Sequence, residues 1–600
     1  MIKTYGLRVI LFSFLFFVSQ VIISQNDLLA KQYFNDGDFE KAVVFYEKLV
    51  KKSPRRSDFA ENLVACYQQL EKYTLAEEFL LKKLKEKHVY PTFFIELGHN
   101  YSLQKLDEKA LTYYKKALNT VSKNPNYGYG IGLRFQKYVL LDFAITAFTK
   151  AMQLNPQLEY NFQLARIYGE QGAIEKMYES YLNLIYKGKT SKSKVLRNID
   201  DFISVDASSE NNIKFRKTLL RKAQQNPNIL WNELLSWLFI QEGRYSSAFN
   251  QEKAIYKRTD KTSTTRLESL GRLSLKNEDT ETAITIFTYI VENSSDKIAK
   301  LNAQLHLVET QLLIPTEKKI KQIQITFDEL MEDYGYHSKT LQLQVAYANF
   351  LTFKKENPTK AISILKKCLE LPLNRYGIAY IKMTLGDILV FDKKFNQALI
   401  YFSQIQKNLK NDVIGQNARY KVAQTSFYKG DFDWALTQLK VLRSSTSQLI
   451  ANDAMQLSLL ISDNSFQDST QIALKKYAHA DLLAFQNKNE EAIEVLNDIL
   501  INHKGEKIED ESLLKQGKLL EQKKDFEAAE FNYQKIVEFY SNDILADDAH
   551  FALAELYKNV LNKPQKAMEH YEKIIYNYQD SYYFPKARKN YRILRGDSIN

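Results

Sequence analysis

The sequence predicts an all-α protein, an α-α superhelix (a solenoid) of about a dozen stacked helix–turn–helix repeats. The main observation is a residue pattern that returns about every 34 residues from near the start of the chain to its end. A small residue follows a large apolar one at the start of each copy. Such pairs are Leu29-Ala30, Leu97-Gly98, Ile131-Gly132, Leu164-Ala165, Leu270-Gly271, Leu385-Gly386 and Val422-Ala423.

Composition is the second observation that favours this class. The 600 residues include 38 Tyr and 35 Phe against only 19 Gly and 10 Pro. Few helix breakers and many bulky rings argue against disorder and against a turn-rich β protein. A chain of this length would otherwise suggest several globular domains, but in a solenoid each repeat packs only on its neighbours.

Within a repeat, the apolar spacing is helical. Residues 41–50 place apolar side chains at i, i+3, i+4, i+7 and i+8, which is one face of a helix. The turn in Asp36-Gly37-Asp38, and again in Lys429-Gly430-Asp431, carries a glycine that suits a left-handed backbone. A small residue in the second helix, as at Ala144, is expected where two helices come closest, with an aromatic residue one turn away.

These residues together resemble the tetratricopeptide repeat. Its pattern pairs Leu with Gly or Ala, then adds an aromatic residue, an alanine, a second aromatic residue and a proline after the second helix. The resemblance implies that the first helices line a concave groove, which binds a peptide or a partner helix. Weaker copies centre on Ala248, Ala361, Ala492, Ala529 and Ala567.

The period fails in two places, and these failures predict the domain boundaries. Residues 186–227 show no alanine and aromatic period, so we expect a helical insert or joint there. A second polar break covers residues 463–470. The prediction is an N-terminal block at 25–185, the joint at 186–227, a middle block at 228–464 and a C-terminal block at 465–600.

Residues 1–24 have the plan of a secretory signal peptide. Lys3 and Arg8 precede an apolar stretch over residues 9–23, and the small Ser24 ends it. The stretch is short for a membrane span. The junction at residues 24–26 resembles leaders common in the Bacteroidetes. We expect cleavage after Ser24 and a periplasmic protein, with an uncleaved leader in the inner membrane as the alternative.

The C-terminal repeats resemble those of periplasmic proteins that act in outer-membrane assembly and of the accessory protein of the Tol-Pal system. This resemblance covers about 75 residues, and the motifs that carry it lie between Phe539 and Arg588. The assembly lipoproteins carry an anchoring cysteine, which this chain lacks near its leader. The two cysteines, Cys66 and Cys368, lie far apart in sequence and are expected to be compact apolar residues without a disulfide.

No motif of catalysis, cofactor binding or metal binding stands out. Gly188-Lys189-Thr190 resembles the end of a phosphate-binding loop, but Asn183 stands where that loop needs a glycine. The eight histidines show no metal-ligand spacing. The net charge of +12 comes from interleaved Lys and Glu without a long basic run, which gives no reason to expect nucleic-acid binding. We therefore expect no enzyme activity, no cofactor and no metal.

The expected function is that of a scaffold or adaptor that binds proteins or peptides of the cell envelope. The alternative is a capture protein for peptides or glycans in an uptake system. If the tetratricopeptide resemblance holds, the groove residues are the ones on first helices that do not belong to the core. These are Tyr129, Phe162, Arg166, Tyr420, Gln424, Phe427 and Tyr428.

Overall fold

The computed structural model describes residues 26–87, 89–259, 261–313, 315–443, 447–465 and 470–597, so the predicted leader at 1–24 lies outside the described residues. These residues form α-helices joined by short loops, and no strand occurs among them. The all-α prediction is confirmed. None of the described helices is long and apolar enough to cross a bilayer.

The helices are α1 (residues 26–35), α2 (Phe39–Lys52), α3 (Ser57–Gln69), α4 (Tyr73–Leu84), α5 (Thr92–Leu103), α6 (Asp107–Lys123), α7 (Gly128–Lys137), α8 (Leu141–Leu154), α9 (Asn161–Glu170), α10 (Ile174–Tyr186), α11 (Lys192–Ile199), α12 (Glu210–Gln225), α13 (Ile229–Gln241), α14 (Tyr245–Arg258), α15 (Thr265–Lys276), α16 (Thr280–Asn293), α17 (Lys297–Leu312), α18 (Glu317–Tyr334), α19 (Leu341–Phe353), α20 (Pro358–Cys368), α21 (Arg375–Phe391), α22 (Phe395–Asn408), α23 (Val413–Lys429), α24 (Phe432–Leu442), α25 (Gln448–Ser465), α26 (Ile472–Phe485), α27 (Asn489–Asn502), α28 (Ile508–Gln522), α29 (Phe526–Phe539), α30 (Ala546–Asn559), α31 (Pro564–Asn577) and α32 (Phe584–Arg595). Short 3₁₀ turns lie at Pro125–Tyr127 and Asp200–Phe202.

Contacts divide the chain into two units, Met1–Ile255 and Tyr256–Asn600. We call them unit 1 and unit 2. In each unit, helices pack mainly on their neighbours along the chain, as a solenoid requires. The predicted joint at 186–227 lies in unit 1 and contains α11, the second 3₁₀ turn and α12. The block boundaries drawn from the sequence stay predictions.

The turn inside a helical hairpin contains a residue with positive φ. Thirteen described hairpins share this feature, which is more than the dozen repeats expected. Only four of these residues are glycines, so the glycine signal in the sequence marks a minority of the repeats. The residues are Gly37, Glu71, Lys105, Val139, Gly172, Gly243, Glu278, Glu356, Lys393, Gly430, Asn487, Lys524 and Asn562.

A close contact between a glycine in the first helix and a ring in the second joins the two helices of a hairpin. A β-carbon built on Gly132 would lie 2.4 Å from the ring of Phe148, which is closer than real atoms approach. The position therefore admits no side chain unless the ring moves. The same holds for Gly98 with Tyr114, Gly271 with Phe287, Gly386 with Phe402 and Gly517 with Tyr533. The sequence analysis expected the closest approach at the second-helix alanines such as Ala144, which is 0% exposed, so the glycine–ring contact is an addition to that expectation.

Tyrosine hydroxyls join one repeat to the next. Tyr101 of α5 donates to Glu77 of α4 at 2.6 Å. The same bond, from a first helix to the preceding second helix, links Tyr67 to Glu47 and Tyr557 to Glu530, both at 2.7 Å. Because a carboxylate acceptor strengthens a hydrogen bond, a tyrosine can fill the apolar junction and still satisfy its hydroxyl. This use accounts for part of the tyrosine excess.

Candidate functional site

The residues predicted to contact a partner fall into two groups. Tyr129, Phe162 and Arg166 lie in unit 1, on α7 and α9. The other four lie on α23 of unit 2, at positions 420, 424, 427 and 428. The two groups belong to different units, so each is described by itself.

In unit 1, only part of the predicted group is open to contact. Tyr129 is 46% exposed, and its ring centre lies 5.7 Å from that of Tyr160. Arg166 is exposed. Phe162 is half-buried, because its ring packs on Tyr181 and the Nζ atom of Lys194 from α11 lies 4.7 Å from the ring centre. Helix α11 of the predicted joint thus partly covers Phe162, one of the three residues.

In unit 2, three of the four predicted residues share one helix face. Tyr420, Gln424 and Tyr428 are spaced at i, i+4 and i+8 on α23, and all three are half-buried. Phe427 is different, because it is 0% exposed and its ring packs 5.7 Å from that of Phe432. Phe427 follows the small Ala423 by one turn and faces the helix partner α24. It is a core residue, so the prediction that it contacts a partner does not fit its burial.

Helix α26 brings further polar groups to this face. The ring of Tyr428 lies 6.3 Å from that of Phe485. Burial raises the pKa of the Tyr428 hydroxyl well above its usual value, and the nearby carboxylate of Asp481 raises this pKa further. Burial also raises the pKa of Tyr420 and Tyr477. These hydroxyls therefore stay protonated at neutral pH and remain hydrogen-bond donors.

Two lysine–aspartate pairs connect first helices of successive repeats. The Nζ atom of Lys421 lies 3.0 Å from Oδ1 of Asp387 on α21. Lys515 of α28 forms a salt bridge with Asp481 of α26. Burial raises the pKa of Asp387, and the ammonium group of Lys421 opposes that effect. In both pairs the lysine follows the aspartate by 34 residues, a signal that the sequence analysis missed.

Contacts between non-consecutive repeats hold the ends of three helices together near this face. The side-chain amide of Gln486, just after α26, donates to the carbonyl of Phe391 at the end of α21, at 2.6 Å. Nearby, the ring of Phe485 packs 5.6 Å from that of Phe353 at the end of α19. The first helices α19, α21 and α26 thus meet at one end, although they belong to different hairpins.

The open part of this surface lies on α21. Tyr380, two turns before Asp387, is 44% exposed. We call the surface formed by Tyr380 and Asp387 of α21, Tyr420, Lys421, Gln424 and Tyr428 of α23, and Tyr477 and Asp481 of α26 the tyrosine face.

The tyrosine face offers hydroxyl and ammonium donors, carboxylate acceptors and aromatic rings. This mixture suits the backbone and side chains of a polypeptide, because amphipathic rings supply contact area at low entropic cost. Among the described residues, no three His, Cys, Asp or Glu side chains come together as a group that could hold a metal ion.

Comparison with known families gives the repeats a name. One family model described as tetratricopeptide repeat matches residues 28–55 and 548–581. A second model with the same description matches residues 510–543. The chain therefore contains tetratricopeptide repeats. The matches cover α1 with α2, α28 with α29, and α30 with α31, which are three of the hairpins described above.

Two further likenesses were found. A segment of 130 residues is 26% identical to the general transcriptional corepressor trfA of Dictyostelium discoideum. It covers 21% of this chain and 9% of the corepressor, so the chain spans less than a tenth of that relative. The chain is also similar to a solved structure of Naa15/Naa10 bound to HypK-THB, with 13% identity, a TM-score of 0.28 and 96% of each chain covered.

Proposed function

We propose that this protein is a non-catalytic scaffold of the periplasm that binds other proteins of the cell envelope. Tetratricopeptide repeats are stacked hairpins that present extended binding surfaces, and they are typically not catalysts. The observation that carries the proposal is the tyrosine face of unit 2. There, tyrosines, lysines and aspartates gather on first helices, although a solenoid needs only apolar contacts to stack.

The tyrosine face supports binding because all of its residues except the buried Tyr477 are only partly covered. Tyr380 is 44% exposed on α21, and Gln424 is half-buried on the next first helix, α23. Tyrosine is one of the residue types that dominate binding energy at protein interfaces. A partner helix or an extended segment laid on this face would pair its backbone groups with the tyrosine hydroxyls and the carboxylate of Asp387.

The proposed location rests on residues 1–24, which have the plan of a secretory leader. Cell fractionation followed by mass measurement of the intact protein tests it. We expect release with the periplasmic contents and a mature chain that begins at Gln25. A chain that keeps Met1 and stays with the inner membrane would support the uncleaved anchor instead.

Photo-crosslinking in living cells tests the proposed activity. A photoreactive amino acid placed at Tyr380 or at Gln424 is expected to give the same protein adducts from both positions, because the two residues lie on neighbouring first helices of one face. The matched control is Trp434, which is 49% exposed on the second helix α24. Mass spectrometry of the adducts identifies the partner.

The control position distinguishes specific binding at the tyrosine face from non-specific crosslinking. Adducts from Tyr380 and Gln424 without the same adducts from Trp434 would support the scaffold. Equal adducts from all three positions, or none from the tyrosine face, would contradict it. Adducts with small peptides or glycans alone would favour the capture protein of an uptake system.

A further inference from the structure

A cleft of about 840 Å³ lies at one edge of unit 1. It is formed where the loops between successive hairpins come together: residues 53–56 after α2, residues 85–87 and 89–91 before α5, and residues 124–127 before α7. Its volume falls within the ~300–1,000 Å³ range of ligand-binding pockets. The cleft is separate from the tyrosine face, which belongs to unit 2.

The charge on the wall of this cleft is positive. Arg55 and Lys87 both line it, both are exposed, and neither forms an ion pair with a residue that the structure describes. The acidic residue of the wall, Glu86, is already neutralised by Lys83, whose Nζ atom lies 2.9 Å from its carboxylate. Two cations therefore remain without a counter-charge.

Two helix starts add to this positive potential. Thr92 opens α5 and Gly130 lies in the first turn of α7, and both residues line the cleft. Neither helix has a side-chain cap on its first turn. The backbone N–H dipoles at the start of a helix carry partial positive charge, so both helices favour a negative ligand near the wall.

The aromatic part of the wall is held in place before any ligand arrives. The hydroxyl of Tyr90 donates to the carbonyl of Arg55 at 2.6 Å, and its ring packs 5.8 Å from that of Phe93. Tyr90 is nevertheless 39% exposed, and Tyr127 on the same wall is 42% exposed. Gly130 leaves the backbone of α7 open, because a β-carbon there would meet only Thr92, at 4.0 Å. A fixed ring beside an open backbone suits an extended chain.

We propose that this cleft binds an acidic, extended peptide segment of a partner protein. Arg55 and Lys87 pair with its carboxylates, and Tyr90 and Tyr127 pack against an apolar or aromatic side chain between them. The proposal rests on the scaffold function and adds a second contact point in the other unit. Single-stranded nucleic acid fits less well, because binding its phosphate backbone takes a row of cations, whereas this wall has two and includes a glutamate.

Fluorescence anisotropy with the full mature chain tests the proposal. The probe is a short fluorescent peptide of glutamates on both sides of one tyrosine, and its comparison peptide has glutamine at every glutamate. We expect the acidic peptide to bind at least ~10-fold more tightly than the glutamine peptide, with binding that weakens as salt increases. The double substitution Arg55→Ala with Lys87→Ala is expected to weaken binding of the acidic peptide by at least ~10-fold.

The matched control is Lys82→Ala with Lys85→Ala, which removes the same charge from exposed lysines of α4 and its C-terminal end that do not line the cleft. We expect this variant to bind the acidic peptide within about 3-fold of the unchanged protein. Equal losses in both variants, equal binding of the two peptides, or tighter binding of a single-stranded oligonucleotide would overturn the proposal.

Crosslinking separates this proposal from the scaffold function. If the Arg55→Ala and Lys87→Ala variant loses the acidic peptide while Gln424 still captures its partner in cells, both proposals stand. If the acidic peptide never binds while Gln424 captures a partner, only the cleft proposal fails. If Gln424 captures nothing, the scaffold function fails whatever the peptide does.

Discussion

The first helices of the two units carry different polar arrangements. In unit 1, Arg134 of α7 forms salt bridges with Glu96 of α5, at 2.7 Å, and with Glu61 of α3. The hydroxyl of Tyr138 donates to the second oxygen of Glu96 at 2.6 Å. Glu96 is 0% exposed. Three successive repeats are thus joined by one network whose groups satisfy each other.

On the first helices α21, α23, α26 and α28 of unit 2, separate pairs take the place of this network. Lys421 pairs with Asp387 and Lys515 with Asp481, and each of these four side chains keeps between 22% and 28% of its surface exposed. Of the tyrosines around them, Tyr420 and Tyr428 are half-buried, Tyr380 is exposed and Tyr477 is buried. The same repeat framework therefore uses the first helices α3, α5 and α7 for cohesion and leaves partly exposed polar groups on α21, α23, α26 and α28.

The largest expected effect breaks the network of unit 1. Arg134→Met leaves the buried carboxylate of Glu96 without its cation, and we expect a loss of ~3–5 kcal/mol in the free energy of unfolding of unit 1. The matched change in unit 2, Lys421→Met, removes a partly exposed pair and is expected to cost at most ~1 kcal/mol. Urea unfolding measures both. Equal losses in the two units would remove the contrast between them.

Acid is expected to act on unit 2 through the buried His550 and the half-buried His570. His550 of α30 and His570 of α31 lie with their Nδ1 atoms 2.9 Å apart. The pKa of each histidine is lowered to about 4, mainly by burial. The charges of His570 and Lys573 contribute to the lowering at His550; at His570, Lys566 and Lys573 contribute to it and Glu530 opposes it.

Because the folded pKa values lie below the unfolded value, the unfolded chain binds more protons between about pH 6.5 and 4. The contribution of the pair is complete above that window and is lost as the pH falls through it. We expect a loss of about 2–4 kcal/mol in unit 2 between pH 7 and pH 5. Replacing both histidines with asparagine should flatten this dependence. An unchanged pH profile in that variant would assign the acid sensitivity elsewhere.

Replacing a glycine of the glycine–ring contact is expected to lower stability equally in both units, because the contact belongs to the shared framework. Gly132→Ala in unit 1 and Gly386→Ala in unit 2 each force a β-carbon to within 2.4 Å of a phenylalanine ring. We expect each to lose ~1–3 kcal/mol of stability. Ala144→Leu, which overpacks the second helix at 0% exposure, is expected to fall in the same range.

Gly130→Ala is the control for this experiment, because it lies on the same helix as Gly132 and its β-carbon would meet only Thr92 at 4.0 Å. Alanine is the better helix former, so this change is expected to be neutral or to stabilise by up to ~1 kcal/mol. Thermal unfolding of the three glycine variants measures the difference. A loss at Gly130 as large as at Gly132 would show that the contact with the ring is not the cause.

The smallest effect concerns the hairpin turns. Val139 holds a left-handed conformation with φ of 57° and is 75% exposed, so its branched side chain adds strain and little packing. Val139→Gly is expected to stabilise unit 1 by ~1 kcal/mol. The opposite change, Gly430→Val in unit 2, where φ is 82°, is expected to destabilise that unit by a similar amount. If the midpoint of thermal unfolding moved in the same direction for both variants, that result would contradict this account of the turn.

The sequence predicted the helices and the stacking because these follow from local spacing. The period placed Gly132 and Phe148 at repeat positions, but it did not predict the close contact between them, which the structure adds. The dozen repeats expected are fewer than the 13 described hairpins. The left-handed turn position could not have supplied the count, because it accepts Glu, Lys, Asn and Val as well as Gly. Positions of this kind have no fixed residue type, so a pattern of glycines finds only some of them.

The candidate site was predicted less well, because its contacts join helices far apart in sequence. The pattern of α23 placed Tyr420, Gln424 and Tyr428 on one face, but it did not separate Phe427, whose ring turns toward α24. The packing of Phe485 on Phe353 has no local signal. The tyrosine face therefore needed the structure, although the 34-residue spacing of its charge pairs was visible in the sequence.

The most direct test of the account is to remove contact groups from the tyrosine face while leaving the core intact. We would replace Tyr380 and Gln424 together with alanine and measure partner capture from a photoreactive residue at Lys421, together with thermal unfolding. The account predicts that capture falls at least ~10-fold while the unfolding midpoint moves by no more than about 4 °C. Unchanged capture with a much lower unfolding midpoint would contradict it, because these side chains would then serve stability rather than binding.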